Sequence, residues 1–265
     1  MNISAEAISS GFCADLPTEI ARRLDAMFPH RDADIALHEP RFNTQAEKLV
    51  LECVRSTYVS SVGEYVSHFE KKLAAACGVK YAVAMVNGTA ALEVALKVVG
   101  VEPGSEVLLP SLTFVATANA VSHLNAVPHF VDVEDRSLGI DSHALERHLK
   151  KIGRQTSGGF FNKETGRRIS AIVPVHVFGH PVAMEELNAV ASTFDLPVIE
   201  DAAEALGSEY KQKHCGSLGH AAAFSFNGNK ILTTGGGGAV VTNDSTTADL
   251  ARHLSSTAKL VHPWE

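Results

Sequence analysis

A single lysine stands beside a glycine-rich segment, where its amine could act as a nucleophile. Residues 223–238 read AFSFNGNKILTTGGGG, so Lys230 follows an apolar run and an Asn/Gly turn and precedes four glycines. A lysine that Ile231, Leu232 and close-packed backbone remove from water reacts with carbonyl groups. The alternatives are a surface lysine or a phosphate loop. The segment is not a GxxxxGK[ST] phosphate loop, because that loop has its lysine after the glycines. It also fits a GxGxxG dinucleotide-binding motif poorly, because that motif opens a helix and residues 235–238 lead into a predicted strand.

Carboxylates end another apolar run, at Pro197–Glu200, which Asp201 and Glu204 follow. If this run is a strand of a parallel sheet, these side chains lie at its carboxyl end, where such sheets bind ligands. A carboxylate there can pair with a protonated nitrogen of a heterocycle. The alternative for Asp201 is an N-cap, because a sequence compatible with a helix follows it.

A phosphate site is predicted where a third apolar run ends in Val86-Asn-Gly-Thr89 and a helix follows. Free N–H groups and the positive end of the helix dipole attract anions. Gly88 lets the backbone approach an anion closely. The alternative is that Thr89 only caps the helix.

Alternating strands and helices must position these three segments. Apolar runs rich in Val, Ile and Phe lie at residues 81–86, 106–110, 128–133, 170–175, 197–200, 221–226 and 238–242. Helical patterns lie at residues 89–99, 114–124, 142–150, 184–194 and 247–255. This alternation predicts an α/β protein, a three-layer α/β/α domain with a mostly parallel sheet of about seven strands. Residues 151–169 break the pattern, and their glycines predict an exposed hairpin or another excursion from the sheet.

The chain before this sheet is predicted to be helical. We divide the protein into an N-terminal helical extension, residues 1–35, and a large domain, residues 36–265. The extension contains a short helical pattern at residues 17–28. The large domain begins with helices at residues 43–55 and 65–77, the second with Val66, Phe69, Leu73 and Ala76 facing inward.

The composition is that of a globular enzyme, with 45% hydrophobic and 20% charged residues and a net charge of -7. No basic run is longer than Arg167-Arg168 and its neighbours, so we expect no nucleic-acid partner. No apolar stretch reaches the length of a membrane-spanning helix and the N-terminus does not have the order of a secretory signal, so we expect no membrane partner. The cysteines lack CxxC spacing and are predicted to be free thiols in the cytoplasm: Cys13, Cys53, Cys77 and Cys215.

A metal site is the alternative role for the cysteines, and one histidine pair has a spacing that metals use. His176 and His180 are four residues apart, which places two imidazoles together only on a helix. Gly179 and Pro181 exclude a helix there. We therefore expect no metal.

Six segments, in this order, resemble the DegT/DnrJ/EryC1/StrS family: NGTAAL, PSLTFVATAN, PVHVFGH, EDAAEA, FSFNGNK and GGGGAVVTND. The resemblance runs from about Ile35 to His262. It implies a fold type I enzyme that binds pyridoxal 5′-phosphate (PLP), in most members an aminotransferase of keto-sugar nucleotides. The NGNK variant and the FNKETGRR insertion are most similar to the branch that makes 4-amino-4,6-dideoxy sugars for surface polysaccharides or nonulosonic acids.

The resemblance also implies roles for individual residues. Lys230 matches the lysine that forms a Schiff base with PLP and later moves a proton during amino transfer. Asp201 would keep the pyridine nitrogen protonated, which makes the ring an electron sink. The other implied cofactor contacts are Phe114 stacking on the ring, Gly88, Thr89 and Ser225 at the phosphate, and Glu204, where the family often has Gln, near the ring hydroxyl or the substrate.

The implied reaction is amino transfer from glutamate to a 4-keto-6-deoxy sugar nucleotide, in a homodimer. A PLP-dependent sugar dehydratase is a weaker alternative, because those enzymes have a histidine in place of Lys230. Family members usually continue beyond a point like Glu265 with a smaller domain that completes the substrate cleft. A further alternative is therefore a truncated, catalytically impaired relic that binds PLP, or one half of a split enzyme.

Overall fold

The computed structural model describes residues 15–29, 38–61 and 63–259. Contacts divide the chain into two compact units, residues 1–39 and residues 40–265. In the first unit the described helix is α1 (Leu16–Met27), where the spacing of Ile20 and Leu24 predicts one. Cys13, predicted to be a free thiol, lies outside the described residues.

Helices and strands alternate along the second unit. Its helices are α2 (Thr44–Ser56), α3 (Glu64–Ala76), α4 (Gly88–Val98), α5 (Val115–His123), α6 (Ser142–Ile152), α7 (Met184–Thr193) and α8 (Ser245–Ser255). Its strands are β1 (Tyr81–Met85), β2 (Glu106–Pro110), β3 (Val127–Val131), β4 (Gly153–Thr156), β5 (Gly159–Asn162), β6 (Ile169–Ile172), β7 (Ile199–Asp201), β8 (Glu209–Tyr210), β9 (Lys213–His214), β10 (Ala221–Ser225) and β11 (Gly238–Thr242).

Seven strands line up in one mostly parallel arrangement. Hydrogen bonds give the orders β1-β11-β10-β7 and β3-β2-β6. Parallel bridges from Ile172 to Val198 and from Val175 to Asp201 join β6 to β7. The order is therefore β1-β11-β10-β7-β6-β2-β3, with β11 antiparallel to both neighbours. The predicted sheet of about seven strands is confirmed.

Helices cover both faces of this sheet. Neighbouring residues of a strand contact different helices, because their side chains point to opposite faces. Along β2, Val107 and Leu109 pack with buried residues of α4, α5 and α8, whereas Leu108 packs with residues of α6 and α7. Phe224 of β10 and Leu73 of α3 belong to a third cluster, on the face opposite α4. The three-layer α/β/α architecture predicted from the sequence is thus confirmed.

Two prolines make neighbouring strands shorter than predicted. Strand β6 ends at Ile172, short of the predicted Val175, and β7 begins at Ile199 and includes Asp201. Pro174 and Pro197 carry no N–H group, so neither residue can donate to the ladder of a central strand. Isolated bridges continue the pairing beyond Ile172.

The prediction that Ala76 faces inward on α3 is wrong, because Ala76 is exposed and Ala74 is buried beside Leu73. The inward face is therefore rotated toward residue 74 at the end of this helix. The last turn of α3 leads into Gly78, which adopts a positive φ of 65°. The three consecutive alanines at residues 74–76 give too little hydrophobic contrast to predict which of them faces inward.

The predicted hairpin within residues 151–169 is confirmed as the antiparallel pair β4–β5. Helix α6 extends further than predicted, to Ile152. The hairpin is exposed on one face only, since Phe160 and Asn162 are buried. No helix in the described part of the chain is long and apolar enough to cross a membrane.

Candidate active site

The carboxyl ends of the parallel strands bring the predicted site residues to one edge of the sheet. Asn87 and Gly88 follow β1, Asp201 ends β7 and Ser225 ends β10. Lys230 lies in the loop between β10 and β11. In parallel α/β sheets this edge is where ligands bind.

At this edge of the sheet, Lys230 forms an ion pair with Glu204. Its Nζ donates to Glu204 Oε1 at 3.0 Å, and its side chain is 12% exposed. The same Nζ lies 5.9 Å from the centroid of the Phe114 ring, within cation–π range. The sequence prediction that Ile231 and Leu232 shield Lys230 is wrong, because these side chains are 64% and 47% exposed. Lys230 points into the site, whereas its two apolar neighbours point out of the loop.

Asp201 is buried at the end of β7, and its carboxylate has two partners. Thr117 Oγ1 donates to Oδ2 at 2.7 Å, and the Ala203 N–H donates to Oδ1 at 3.2 Å. Burial raises the pKa of Asp201, while the bonds from Thr117 and Ala203 and the charge of Lys230 act in the opposite direction. The N-cap alternative is wrong, since residues 202–208 form turns and no helix.

The start of α4 and the end of β10 are in direct contact. A Cβ built on Gly88 would lie 2.8 Å from Ser225 Cβ and 3.2 Å from Ser225 Oγ. The residue that caps α4 is Asn87, whose Oδ1 accepts from the Ala90 N–H, so the alternative role of Thr89 as the cap is wrong. A helix N-terminus, a close backbone and a hydroxyl group therefore meet here, as an anion site requires.

A second buried carboxylate stands next to Asp201 on the opposite side of β7. Glu200 is fully buried, and its oxygens accept from the N–H groups of Gly216, Leu218 and Gly219 at 2.7–2.8 Å. His176 Nε2 lies 3.0 Å from Glu200 Oε2. The Val182 N–H donates to His176 Nδ1, so Nε2 must carry the ring proton and donate it to Glu200.

Sequence reasoning missed the residues that support Asp201. Thr117 lies 84 positions away from it in the chain, and Thr113 Oγ1 in turn donates to Thr117 Oγ1 at 2.8 Å. The main-chain N–H of His176 donates to the Asp201 carbonyl at 3.1 Å. Both Thr117 and His176 lie in segments that the sequence singled out, PSLTFVATAN and PVHVFGH, but no spacing rule connects them to Asp201.

The tight turn after β6 also lies at this edge. Phe178 adopts a left-handed conformation with φ 52° and is 86% exposed. A Cβ on Gly179 would lie 2.4 Å from the Glu204 carbonyl oxygen, so this turn packs closely on the segment that carries Glu204. Across the described ranges 15–29, 38–61 and 63–259, no group of three or more His, Cys, Asp or Glu side chains could hold a metal ion.

Comparison with known proteins connects this arrangement with one family. The model of the DegT/DnrJ/EryC1/StrS aminotransferase family matches residues 40–263. GDP-perosamine synthase of Caulobacter vibrioides is 43% identical over 220 residues, which is 83% of this chain and 55% of that protein. GDP-perosamine synthase of Escherichia coli O157:H7 is 40% identical over 86% of this chain and 58% of that protein. The chain thus spans little more than half the length of these relatives.

Solved structures match over similar lengths. PseC of Helicobacter pylori, an aminotransferase of pseudoaminic acid biosynthesis, has a TM-score of 0.74 at 30% identity, over 88% of this chain and 58% of that chain. DesI, solved in the presence of its TDP-sugar product, has a TM-score of 0.71 at 31% identity, over 86% of this chain and 55% of that chain. The large-domain fold of type I aminotransferases, expected from the sequence, is confirmed.

Proposed function

Because the chain belongs to the DegT/DnrJ/EryC1/StrS aminotransferase family, we propose that it binds PLP and transfers an amino group to a keto-sugar nucleotide. The relatives are GDP-perosamine synthases, and DesI was solved with a TDP-sugar product. These names support a nucleotide-linked sugar as the acceptor. In line with the family resemblance, we further propose a 4-keto-6-deoxy sugar nucleotide as the acceptor, glutamate as the donor and a glycan of the cell surface as the destination.

The placement of Lys230 and Asp201 carries this proposal. An amine that is 12% exposed and a buried carboxylate share one edge of the sheet. Burial raises the pKa of Asp201, and the positive charge of Lys230 opposes that rise. A cofactor with an aldehyde at one side of a basic heterocycle needs such a pair. When bound, PLP supplies an electron sink that stabilises negative charge at the reacting carbon.

The remaining residues of the edge fit the same cofactor. Gly88 and Ser225 form a cradle at the N-terminus of α4 that suits a phosphate, with Thr89 in the first turn of the helix. The ring of Phe114 is 71% exposed beside Lys230 and offers a face for stacking. In this proposal Lys230 Nζ attaches the cofactor and moves a proton, and Asp201 keeps the ring nitrogen protonated.

Glu204 occupies a position where a carboxylate changes the chemistry. Its bond to Lys230 holds the amine toward the site and gives it a partner before the cofactor arrives. Loading PLP onto Lys230 would free Glu204 to contact the cofactor or the substrate. Such an exchange suits a residue that is 42% exposed and can turn into the cleft.

A PLP-dependent sugar dehydratase is the second candidate. The dehydratase ColD matches this chain at 23% identity, which supports the shared fold alone. Lys230 favours the aminotransferase, because the dehydratases hold PLP without a covalent bond and have histidine in place of this lysine. We also propose a homodimer in the cytoplasm. The three described cysteines, Cys53, Cys77 and Cys215, are free, as expected in a reducing compartment.

Reduction with borohydride tests the proposal. The protein incubated with PLP should acquire a visible absorbance band, and borohydride should fix the cofactor to Lys230, as peptide mapping would show. Lys230→Ala should abolish fixation, while Lys213→Ala, which removes an exposed lysine in the β8–β9 ribbon, should retain it. Attachment to any other lysine would contradict the assignment. Amino transfer from glutamate to a 4-keto-6-deoxy sugar nucleotide, followed by mass spectrometry, then separates the aminotransferase from the dehydratase.

A further inference from the structure

Positive charge is concentrated in one segment of an acidic protein. Residues 147–168 contain seven of the chain's 23 lysines and arginines but one of its 30 acidic residues. We call this segment the basic platform, and its seven cations are all exposed: Arg147, Lys150, Lys151, Arg154, Lys163, Arg167 and Arg168. Within the described ranges one of them has an ion pair, Lys150 with Glu146.

The basic platform is anchored to the sheet. Glu106, the first residue of β2, is buried and accepts hydrogen bonds from Asn162 Nδ2 at 3.0 Å, Thr165 Oγ1 at 2.5 Å and His129 Nδ1 at 2.8 Å. Asn162 and Thr165 belong to the platform, so one buried carboxylate fixes its hairpin and the turn that follows. A fixed surface presents its charges together, whereas a flexible basic loop would spread them through solvent.

The strand register places the cations on one outward face. Arg154 lies opposite Phe161 in the β4–β5 hairpin, and Phe161 lies opposite Arg168 in the neighbouring bridge. Residues that oppose each other across strands project to the same side. A Cβ on Gly159 would lie 3.0 Å from Arg168 Nε, so this guanidinium extends along the hairpin.

Helix α6 adds further cations to the basic platform. Arg147, Lys150 and Lys151 lie three and four residues apart on one side of the helix, opposite its buried residues Leu149 and Ile152. The platform lies at the amino ends of β2 and β6, because Glu106 begins β2 and Arg168 directly precedes β6. The candidate active site lies at the carboxyl ends, so a partner on the platform leaves that site accessible.

We propose that the basic platform docks on the surface of an anionic phospholipid membrane. Exposed cations attract such a surface, each contributing a factor of about five to the binding constant. Nucleic acid is less suited, because binding of single strands uses exposed aromatic rings for stacking, whereas Phe160 is buried and Phe161 is half-buried between two arginines. The expectation of no membrane partner rested on the lack of a spanning helix, and peripheral docking needs none.

The docking is electrostatic and reversible. The tip of the hairpin, Ser157 and Gly158, offers no apolar side chain to enter the hydrocarbon region. The acidic remainder of the protein is repelled by an anionic surface, so the platform faces the membrane and the active site faces away. Binding of this kind weakens with salt, since at 0.1 M the ions largely screen exposed charges that are more than about 10 Å apart.

Vesicle flotation of the full chain tests the proposal. The protein should float with phosphatidylcholine vesicles that contain phosphatidylglycerol at low salt, and it should remain free with phosphatidylcholine alone or at high salt. The double variant Arg154→Gln, Arg168→Gln should partition about 25-fold more weakly, at about fivefold for each cation. The double variant Lys71→Gln, Lys72→Gln makes the same charge change on the exposed side of α3 and should leave partitioning unchanged.

Several results would overturn the proposal. These are binding that does not depend on phosphatidylglycerol, equal weakening in both double variants, or no binding at low salt. The alternative partner, nucleic acid, is tested by measuring the binding of a single-stranded RNA oligonucleotide with fluorescence anisotropy. Tighter binding to RNA than to vesicles would assign the platform to nucleic acid. The visible band of bound PLP in each variant reports that the large domain is folded.

Discussion

At the scale of single residues, Asp201 is buried although the role that we propose for it needs a negative charge. A carboxylate without solvent prefers its neutral form, and burial accordingly raises the pKa of Asp201. To hold a proton on a heterocycle, it must be ionised. Thr117 and the Ala203 N–H stabilise the ionised form, as does Lys230 through its charge. The site therefore keeps an anion buried by surrounding it with donors.

Asp201→Asn should retain part of the PLP binding and lose most of the half-reaction with glutamate. A hydrogen bond to a charged group is worth about 1.5–3 kcal/mol, so we expect the rate of the half-reaction to fall at least about tenfold. Stopped-flow absorbance of the bound cofactor measures this rate. Thr117→Val is the matched variant, because it removes one donor and keeps the carboxylate, and its effect should be smaller. A native rate in Asp201→Asn would reduce this residue to a structural role.

Glu200, the neighbour of Asp201 in β7, has a structural role, because its hydrogen bonds connect segments of the protein. Four donors surround it, three main-chain N–H groups and His176 Nε2. Each of its acceptor sites is used within the protein, whereas Asp201 has room for a further partner at the site. Glu200 thus connects the turn after β6, the end of β7 and residues 216–219, and the Asp201 main chain lies between them.

Glu200→Gln should destabilise the protein. The amide nitrogen of glutamine would face N–H groups, leaving at least one buried donor unsatisfied at a cost of about 1–3 kcal/mol. Urea unfolding, with the cofactor absent, measures the free energy of unfolding. Glu186→Gln makes the same change on the exposed side of α7 and should have little effect. If the two variants unfold at the same urea concentration, the network around Glu200 contributes nothing to stability.

At the scale of elements, the sequence predicted the strands of the main sheet and which candidate site residues follow them. Strong apolar runs located all seven strands. From them followed Asp201 and Ser225 at strand ends, Gly88 shortly after β1 and Lys230 in the loop after β10. The short β8–β9 ribbon was missed, since two residues in each strand give no period to detect. Contacts such as Thr117 to Asp201 depend on how strands stack side by side, which spacing along the chain does not encode.

The β4–β5 hairpin depends on a single buried carboxylate. Although burial opposes ionisation, hydrogen bonds from Asn162, Thr165 and His129 hold the pKa of Glu106 below its ordinary value of 4.5. His129 Nδ1 donates to Glu106, so its Nε2 accepts from His148 Nε2 at 2.8 Å. The pKa of His148 is lowered by burial and by His129, which favours the neutral form of the His148 ring.

Acid should loosen the hairpin before the rest of the domain. A carboxyl group with a lowered folded pKa contributes stability that is complete above its unfolded value and is lost as the pH falls through the folded value. The protection factors of amides in residues 153–168, which are exchange rates corrected for the intrinsic effect of pH, should therefore fall below about pH 4.5. Glu106→Gln should show the lowered protection factors already at neutral pH, and Glu102→Gln, an exposed change before β2, should not. Protection factors that do not change with pH in the unaltered protein would contradict the role of Glu106.

At the scale of the whole molecule, the residues that we propose to face the cofactor come from one part of the chain. All those we assign lie between Gly88 and Lys230, and strands of one sheet position them. Phe114, Phe178 and Ile231 expose large apolar side chains at or near this edge. A substrate, a second subunit or further protein would cover such side chains, because contiguous exposed apolar surface promotes association. The relatives are nearly twice as long as their matched portions.

Extending the chain should therefore raise the rate of turnover and leave PLP binding almost unchanged. The 265-residue chain should bind PLP and undergo fixation by borohydride at Lys230, because the sheet holds Lys230, Asp201 and the phosphate cradle together. Turnover also requires the sugar nucleotide to be held in register with the cofactor, and a displacement of an ångström costs about 100-fold in rate. Joining the chain to the part of the Caulobacter vibrioides relative that lies outside the matched portion should raise single-turnover rates with a 4-keto-6-deoxy sugar nucleotide at least about tenfold, while PLP affinity changes little. Equal rates with and without that segment would show that the 265 residues already contain the complete substrate cleft.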